Sequence, residues 1–493
     1  MAENVSDLER RNHTMAILEH LEPRVVFRFF EELCAIPHGS SNTRQLSDWL
    51  MAFALERGLE AYQDRLNNVV IIKEAAPGYE NAEPVILQGH MDMVCEKAPN
   101  CGKDMEKEGL DLVVDGDTVY AKDTTLGGDD GIAVAMALAL LDADDIPHPR
   151  LEAVFTVDEE IGMLGAVGME DVSMLHGRRM LNLDSEVEGV FTVSCAGGNM
   201  TKCTLPVRRE AFVAEGLTVT VGGLRGGHSG VEIDKGLGNA CMLLGRVLTA
   251  CSRETELRLI SAGGGLKDNA IPRQATAVVA AADTRKVKDV CARLDAELKN
   301  EYRTTDPAAF VSVTDGGDGI PMDADSTRRV LTFLTCAPNG IQAMSADIPG
   351  LVQTSLNLGI LSAGDETVNA SFCVRSSVDS QKRMLVERLT CLTETLGGSV
   401  AVLGDYSGWE YLPDSPLREL LAEVFTQQYG HAPKIEAVHA GVECGIFAGK
   451  LPGLDCVSLG PDLTEIHTCR ERLHIASVQR LWTMVLEALK RMK

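Results

Sequence analysis

The sequence is short of positive charge. Across 493 residues, 46 lysines and arginines stand against 72 aspartates and glutamates, a formal net charge of -26. Such a surface repels phosphate backbones and anionic headgroups, which argues against nucleic-acid and membrane partners. Aromatic residues are also few, at 4%, beside 45% hydrophobic residues and 46 glycines, a mixture that suits an α/β protein built from Ala, Val and Leu. There is no long hydrophobic run. The most apolar uncharged stretch, GIAVAMALALL from Gly131, is too short to span a bilayer and reads as a buried helix. The opening MAENVSDLERRNHTM lacks the apolar core of a secretory signal. The fourteen cysteines, scattered from Cys34 to Cys469, contain no Cys-x-x-Cys pair and outline no compact disulfide framework. Thiols without an export signal point to the reducing cytoplasm.

The length exceeds what one core organises, so two or three domains are expected. Helical spacing in RVVFRFFEELCAI and TRQLSDWLMAFALERG is followed by the strand-like runs NVVIIK and PVILQ, then by the Gly131 helix, LEAVFTV and RRMLNLD. This alternation predicts an α/β layer over 1–197. Longer strand patterns follow, in LTVTVGGLRGGHSG, TAVVAAAD, SLNLGIL and ETVNASFCVRSS, separated by helices such as VKDVCARLDAELKN. They predict an inserted domain over 198–397. The α/β rhythm returns over 398–493.

Chemistry gathers where the strands of the α/β layer end. VILQGHMDMV delivers His90 and Asp92, and TTLGGDDGI places Asp129 and Asp130 ahead of a helix. FTVDEEIG ends in Glu159 and Glu160, LNLDSEVEG in Asp184, and GPDLTEIHT carries His467. Taken singly these are a strand cap, a helix cap and solvated acids. Taken together they bring two imidazoles and at least three carboxylates to the carboxyl ends of strands, where open α/β sheets bind ligands. That donor set suits zinc or another divalent first-row metal. With one carboxylate bridging, it fits two metals sharing a water, an arrangement used in hydrolysis.

Read in order, LQGHMDMV, TTLGGDDGI, DEEIG, NLDSEVEG, CAGG, GGHSG, NAIPR, TSLN and HAGVECG resemble the aminoacyl-histidine dipeptidase branch of the M20 metallopeptidases, from about Ile36 to the C-terminus. The resemblance implies a zinc-peptidase-like α/β catalytic domain with an inserted α+β lid of the dimerisation type, and hence a homodimer as one option. It implies two divalent metals per chain, zinc first with cobalt or manganese as alternatives. Asp129 would bridge them, His90 and Asp184 completing one site, Glu160 and His467 the other. Asp92 would orient the His90 ring, and Glu159 would be the general base. With Glu160 committed to a metal, its neighbour Glu159 is free to move a proton. The resemblance further implies a cis peptide after Asp129, with Asp130 standing where relatives often carry Asn. In the inserted region, His228 would polarise the scissile carbonyl, and Asn269 and Arg375 would bind the substrate's terminal carboxylate; beyond it, Glu443 would lie near the substrate amine.

The expected activity is hydrolysis of unblocked L-dipeptides, including those ending in histidine such as β-Ala-His. The alternatives are an N-acyl amino acid deacylase with the same metal core, and an inactive binding protein on the same fold. The inactive reading predicts loss of the base or of a ligand, yet all six residues are present.

Overall fold

Four short runs with almost no exposed residue, Val85–His90, Leu151–Thr156, Arg179–Asn182 and Asp455–Ser458, become neighbouring strands. A strand covered on both faces needs such continuous burial, and these four pair in parallel. They form the middle of an eight-stranded sheet in the computed structural model, which describes residues 17–493. The polar opening segment of the chain therefore lies outside the described residues. The sheet belongs to the first of two compact units, made of the chain up to Val193 together with Leu412–Glu436 and Val442–Lys493. Glu60–Gln63 and Val69–Lys73 extend it antiparallel on one side. Helix Gly128–Asp142, buried along nearly its whole length, packs on the Val85–His90 strand and on helix Arg24–Cys34. That burial explains why Gly131–Leu141 carries no charged residue. Because the four central strands are parallel, their carboxyl ends lie along one edge.

The second unit comprises Ser194–Tyr411 and Ala437–Gly441. It is α+β: a nine-stranded sheet, antiparallel throughout its pairings, with helices Ala240–Glu254, Thr284–Glu301, Ala324–Cys336 and Asp379–Thr395 contributing to its core. Two details differ from the sequence pattern. LTVTVGGLRGGHSG is not one strand: Glu215–Gly222 stops at the glycine pair, and Gly227–His228 pairs separately with Ala270–Ile271. Beyond residue 397, Ser399–Tyr406 pairs with Gly197–Pro206, so this sheet continues past the point where the α/β rhythm was expected to resume. An edge strand exposed along most of its length lacks the burial pattern that would mark it in a sequence. Among the described residues no helix is long and apolar enough to cross a membrane.

Candidate functional site

The parallel edge of the first unit collects the strand-end residues. His90 Nε2 lies 3.0 Å from Asp129 Oδ1 and 3.5 Å from Asp184 Oδ1. His467 Nε2 lies 3.1 Å from Asp129 Oδ2 and 2.9 Å from Glu160 Oε1, the latter approach without hydrogen-bond alignment. Asp129 thus offers one oxygen to each group. In both triplets, His90–Asp129–Asp184 and Asp129–Glu160–His467, the donor atoms lie within 4.8 Å of one another. A proton on an imidazole nitrogen joins it to one oxygen, whereas a cation can join all three donors. His90 Nδ1 sits 2.9 Å from the Asp92 carbonyl and 3.5 Å from its Oδ1, so a neutral ring keeps its proton there and turns the Nε2 lone pair on the carboxylates. Lone pairs facing at 3 Å repel without a cation between them, so the residues fit two divalent ions.

The electrostatics state the same requirement. Burial alone would lower the pKa of His90, yet Asp184 and the bonds to Asp129, Asp184 and Asp92 hold it well above the usual value. The bond to Asp129 and the close Glu160 carboxylate push His467 up to about 10. Burial, reinforced by neighbouring carboxylates, pushes Asp184 up to about 6 and Glu159 up to about 9. This is an acid-rich site with too few cations of its own.

Local geometry follows from a few contacts. Gly127 takes a left-handed φ of 67°, and the Asp129–Asp130 peptide is cis, as the resemblance implied. Asp130 is fully buried and accepts the His90 N–H at 3.2 Å. Burial and Asp184 raise its pKa well above the carboxylate range. A Cβ at Gly89 would come within 2.5 Å of that carboxyl, which accounts for the glycine. Asp92 does more than orient a ring: its carboxylate also accepts the Glu159 N–H at 2.9 Å and the Ser40 hydroxyl at 2.8 Å, tying the two acidic motifs together. Glu443 is wholly buried, its Oε2 accepting from Gln88 at 2.5 Å and Thr156 at 2.6 Å, and burial pushes it up to about 7. Its carboxyl lies beneath the strand ends, not on an open surface.

Glu471 was not anticipated. Buried, it accepts the backbone N–H groups of Leu126 at 2.8 Å, Gly127 at 3.2 Å and Gly128 at 2.8 Å, clamping the turn that presents Asp129. CRERLH gives no hint of this, because the partners lie more than 340 residues away.

In the second unit, His228, Asn269 and Arg375 belong to neighbouring segments. His228 Nδ1 accepts N–H groups from Gly230 and Val231, both at 3.2 Å, which leaves the ring proton on Nε2 as an outward donor. Asn269 sits in a turn, and its own carbonyl accepts the Ser229 N–H at 2.8 Å. Both residues line a groove of ≈ 920 Å³ floored by Gly263–Gly265 and Ile271–Thr276. Arg375 is 7% exposed, and its Nε has no hydrogen-bond partner.

An acid-lined site with two histidines at the carboxyl edge of a parallel sheet, with an α+β unit inserted in the chain, is the architecture of a metallopeptidase. The chain belongs to peptidase family M20/M25/M40, whose family model matches residues 86–491. It is 38% identical over 481 residues to the cytosol non-specific dipeptidase of Escherichia coli (strain K12), covering 97% of this chain and 99% of that one. Its fold is similar to the crystal structure of aminoacylhistidine dipeptidase from Vibrio alginolyticus, with a TM-score of 0.90 at 34% identity over 98% of this chain and 99% of that one. An aminopeptidase from Bacillus cereus shares the fold at 15% identity and a TM-score of 0.54, over 96% and 99% of the two chains.

Proposed function

We propose that the protein is a cytoplasmic, metal-dependent dipeptidase that hydrolyses unblocked L-dipeptides, including Xaa-His and β-Ala-His. The observation that carries this is the pair of donor triplets sharing Asp129, whose imidazole nitrogens face carboxylate oxygens at 2.9–3.5 Å. His90, Asp129 and Asp184 would hold one ion, and Asp129, Glu160 and His467 the other, zinc before cobalt or manganese. Two such ions supply Lewis-acid polarisation of the scissile carbonyl and a water acidic enough to attack at neutral pH.

The remaining steps belong to the chain. Asp92 fixes the His90 ring and, through the Glu159 N–H, the position of the base. Glu159 takes the proton of the attacking water and passes it to the leaving amine. His228, a neutral Nε2–H donor, stabilises charge developing on the carbonyl oxygen. Arg375 and Asn269 bind the far carboxylate. Glu443, being buried, acts on the substrate amine through its field and not by contact. The cytoplasmic assignment is supported by the cysteines, none of which is in a disulfide. A homodimer formed through the inserted unit is part of the reading, and sedimentation velocity checks it.

The test is metal analysis of the purified protein beside hydrolysis of Ala-His, β-Ala-His, Gly-Gly, a tripeptide and an acetylated amino acid. About two metals per chain are expected, with turnover confined to dipeptides. Chelation should abolish activity and added zinc, cobalt or manganese should restore it. Turnover of the acetylated amino acid alone would replace this reading by the deacylase. Full activity in metal-free protein would end it.

A further inference from the structure

Within the second unit, four paired strands carry a row of residues of which only Arg375 was given a role from the sequence. Ser355 is opposite Arg375, Arg375 opposite Gly198, and Gly198 opposite Tyr406. Residues opposite one another in antiparallel strands project from the same face. Gly198 is the gap in the row. A Cβ there would lie 2.9 Å from the Tyr406 hydroxyl, so its absence lets the phenol reach toward Arg375, whose Nη1 donates to it over a long 3.4 Å. On the other flank, His439 Nε2 is 2.7 Å from Ser355 Oγ. Asn357, two residues beyond Ser355 and so on the same face, donates to the Ala270 carbonyl at 2.9 Å and holds the Asn269 turn there.

Donors outnumber acceptors in this row. Among the described residues the Ser355 hydroxyl has His439 as its side-chain partner; its hydrogen goes to Nε2, and the imidazole proton is then on Nδ1. That buried Nδ1 has no partner, and neither has the buried Nε of Arg375. The opposite tautomer would instead strand the hydroxyl hydrogen. Burial, with Arg375 and His228 close by, holds the His439 pKa down at about 3, so the ring donates without carrying charge. Two buried, unmet donors beside a phenol call for one acceptor with several lone pairs, and a carboxylate has four.

We propose that His439, fixed as the Nδ1–H tautomer by Ser355, is a specificity-determining residue that donates to the same substrate carboxylate as Arg375, with the Tyr406 hydroxyl on the opposite flank. This rests on the reading that Arg375 receives the terminal carboxylate. A purely structural histidine would affect all substrates alike.

The experiment compares kcat/KM of the metal-loaded, full-length protein for Ala-Ala and for its C-terminal amide. His439→Ala should lower the acid-over-amide ratio roughly 10- to 100-fold, mainly through KM for the acid. His439→Asn, which returns an N–H near the Nδ1 position, should recover most of the ratio. Ser355→Ala, which frees the tautomer, should give an intermediate loss. If Arg375→Ala lowers the ratio while His439→Ala leaves it intact, His439 is a packing residue; the carboxylate reading survives and the proposal does not. If neither variant lowers the ratio, the carboxylate reading fails and the proposal with it. Should His439→Ala not fold, Ser355→Ala decides: native melting with an unchanged ratio overturns the proposal. An Asn variant that melts within a few degrees of the parent yet loses as much as Ala also overturns it, because the donor would then be irrelevant.

Discussion

In the first unit carboxylates crowd around two imidazoles: burial and mutual repulsion raise the pKa values of Asp184 and Glu159, and the carboxylates raise those of both rings. In the second, a buried guanidinium and a buried neutral imidazole have donors to spare and lack an anion. Both sites are incomplete, in opposite senses. A folded chain leaves such deficits only where something else satisfies them, because an unmet buried donor costs about 1–3 kcal/mol and an unpaired buried charge more. On the proposed reading the sign of each imbalance matches its ligand: divalent cations for the first, a carboxylate for the second. A metallopeptidase acting on free dipeptides needs both.

The sharpest way to break this comparison lies in the first unit. Glu159 belongs to the acid surplus but to neither donor triplet. Glu159→Ala should lower kcat by roughly 10²–10⁴-fold while the protein retains about two metals per chain. Glu160→Ala should lose metal. If elemental analysis gave the reverse pattern, the roles of the two neighbours would be exchanged.

The second unit offers the next largest effect. Arg375→Ala should lower kcat/KM for a free-acid dipeptide by about 10²-fold, the loss of a charge-assisted contact that leaves a buried acceptor unmatched. The dipeptide amide, a poor substrate of the unaltered protein, should fare no worse in the variant. A two-by-two comparison of acid and amide in both proteins measures this. Equal losses on both substrates would mean that Arg375 does not read the carboxylate.

The two sites also differ in how far the sequence revealed them. Four candidate ligands of the first site, His90, Asp129, Glu160 and Asp184, lie at or just past a strand end or at a helix start, so HMD, GGDDG, DEEIG and NLD carry their chemistry within a few residues of a recognisable break. The parallel sheet then brings those ends to one edge, and the inference needed only the rule for where such sheets bind. The row Ser355–Arg375–Gly198–Tyr406 is assembled across four strands, from residues up to about two hundred positions apart, and Gly198 matters only because Tyr406 lies over it. No local pattern encodes a register. His439 was hidden for a related reason: it lies in HAGVECG, whose Glu443 drew attention, although Glu443 is buried in the first unit and His439 belongs to the second. Glu471 was silent because a carboxylate that caps backbone N–H groups from afar looks like any surface acid.

Glu471 sharpens the comparison from the first unit's side. Its carboxylate takes three backbone N–H groups of the turn before Asp129, and an amide cannot accept from all of them without turning its own NH₂ toward one. Glu471→Gln should therefore loosen the metal site without removing a ligand. A loss in metal affinity of about tenfold, at the low end for groups that support ligands, is expected from competition with a chelator. Unchanged affinity would reduce Glu471 to a fold element.

The smallest effect tests the claim that the second unit's histidine is neutral. His439 titrates near 3 in the fold and at 6.5 in the unfolded chain. Between those values the unfolded chain binds the extra proton, so stability falls as pH drops through this window. The contribution is complete above about pH 6.5 and is lost as pH falls toward 3. The cation facing His439 is Arg375, joined by His228 as that ring protonates, and both oppose a second positive charge. His439→Asn removes the titration but keeps a polar side chain. At pH 7 the variant should melt below the parent by about 2–4 °C, the scale of one lost hydrogen bond in a unit of this size. Approaching pH 4.5 the parent pays for a buried neutral histidine and the variant does not, so the gap should close. Titrations common to both proteins, including those of the metal ligands, cancel in the difference because they lie on other residues. A gap that stays constant from pH 7 to 4.5 would mean that His439 titrates alike in the folded and unfolded chain, and that the second unit does not hold a neutral donor beside Arg375.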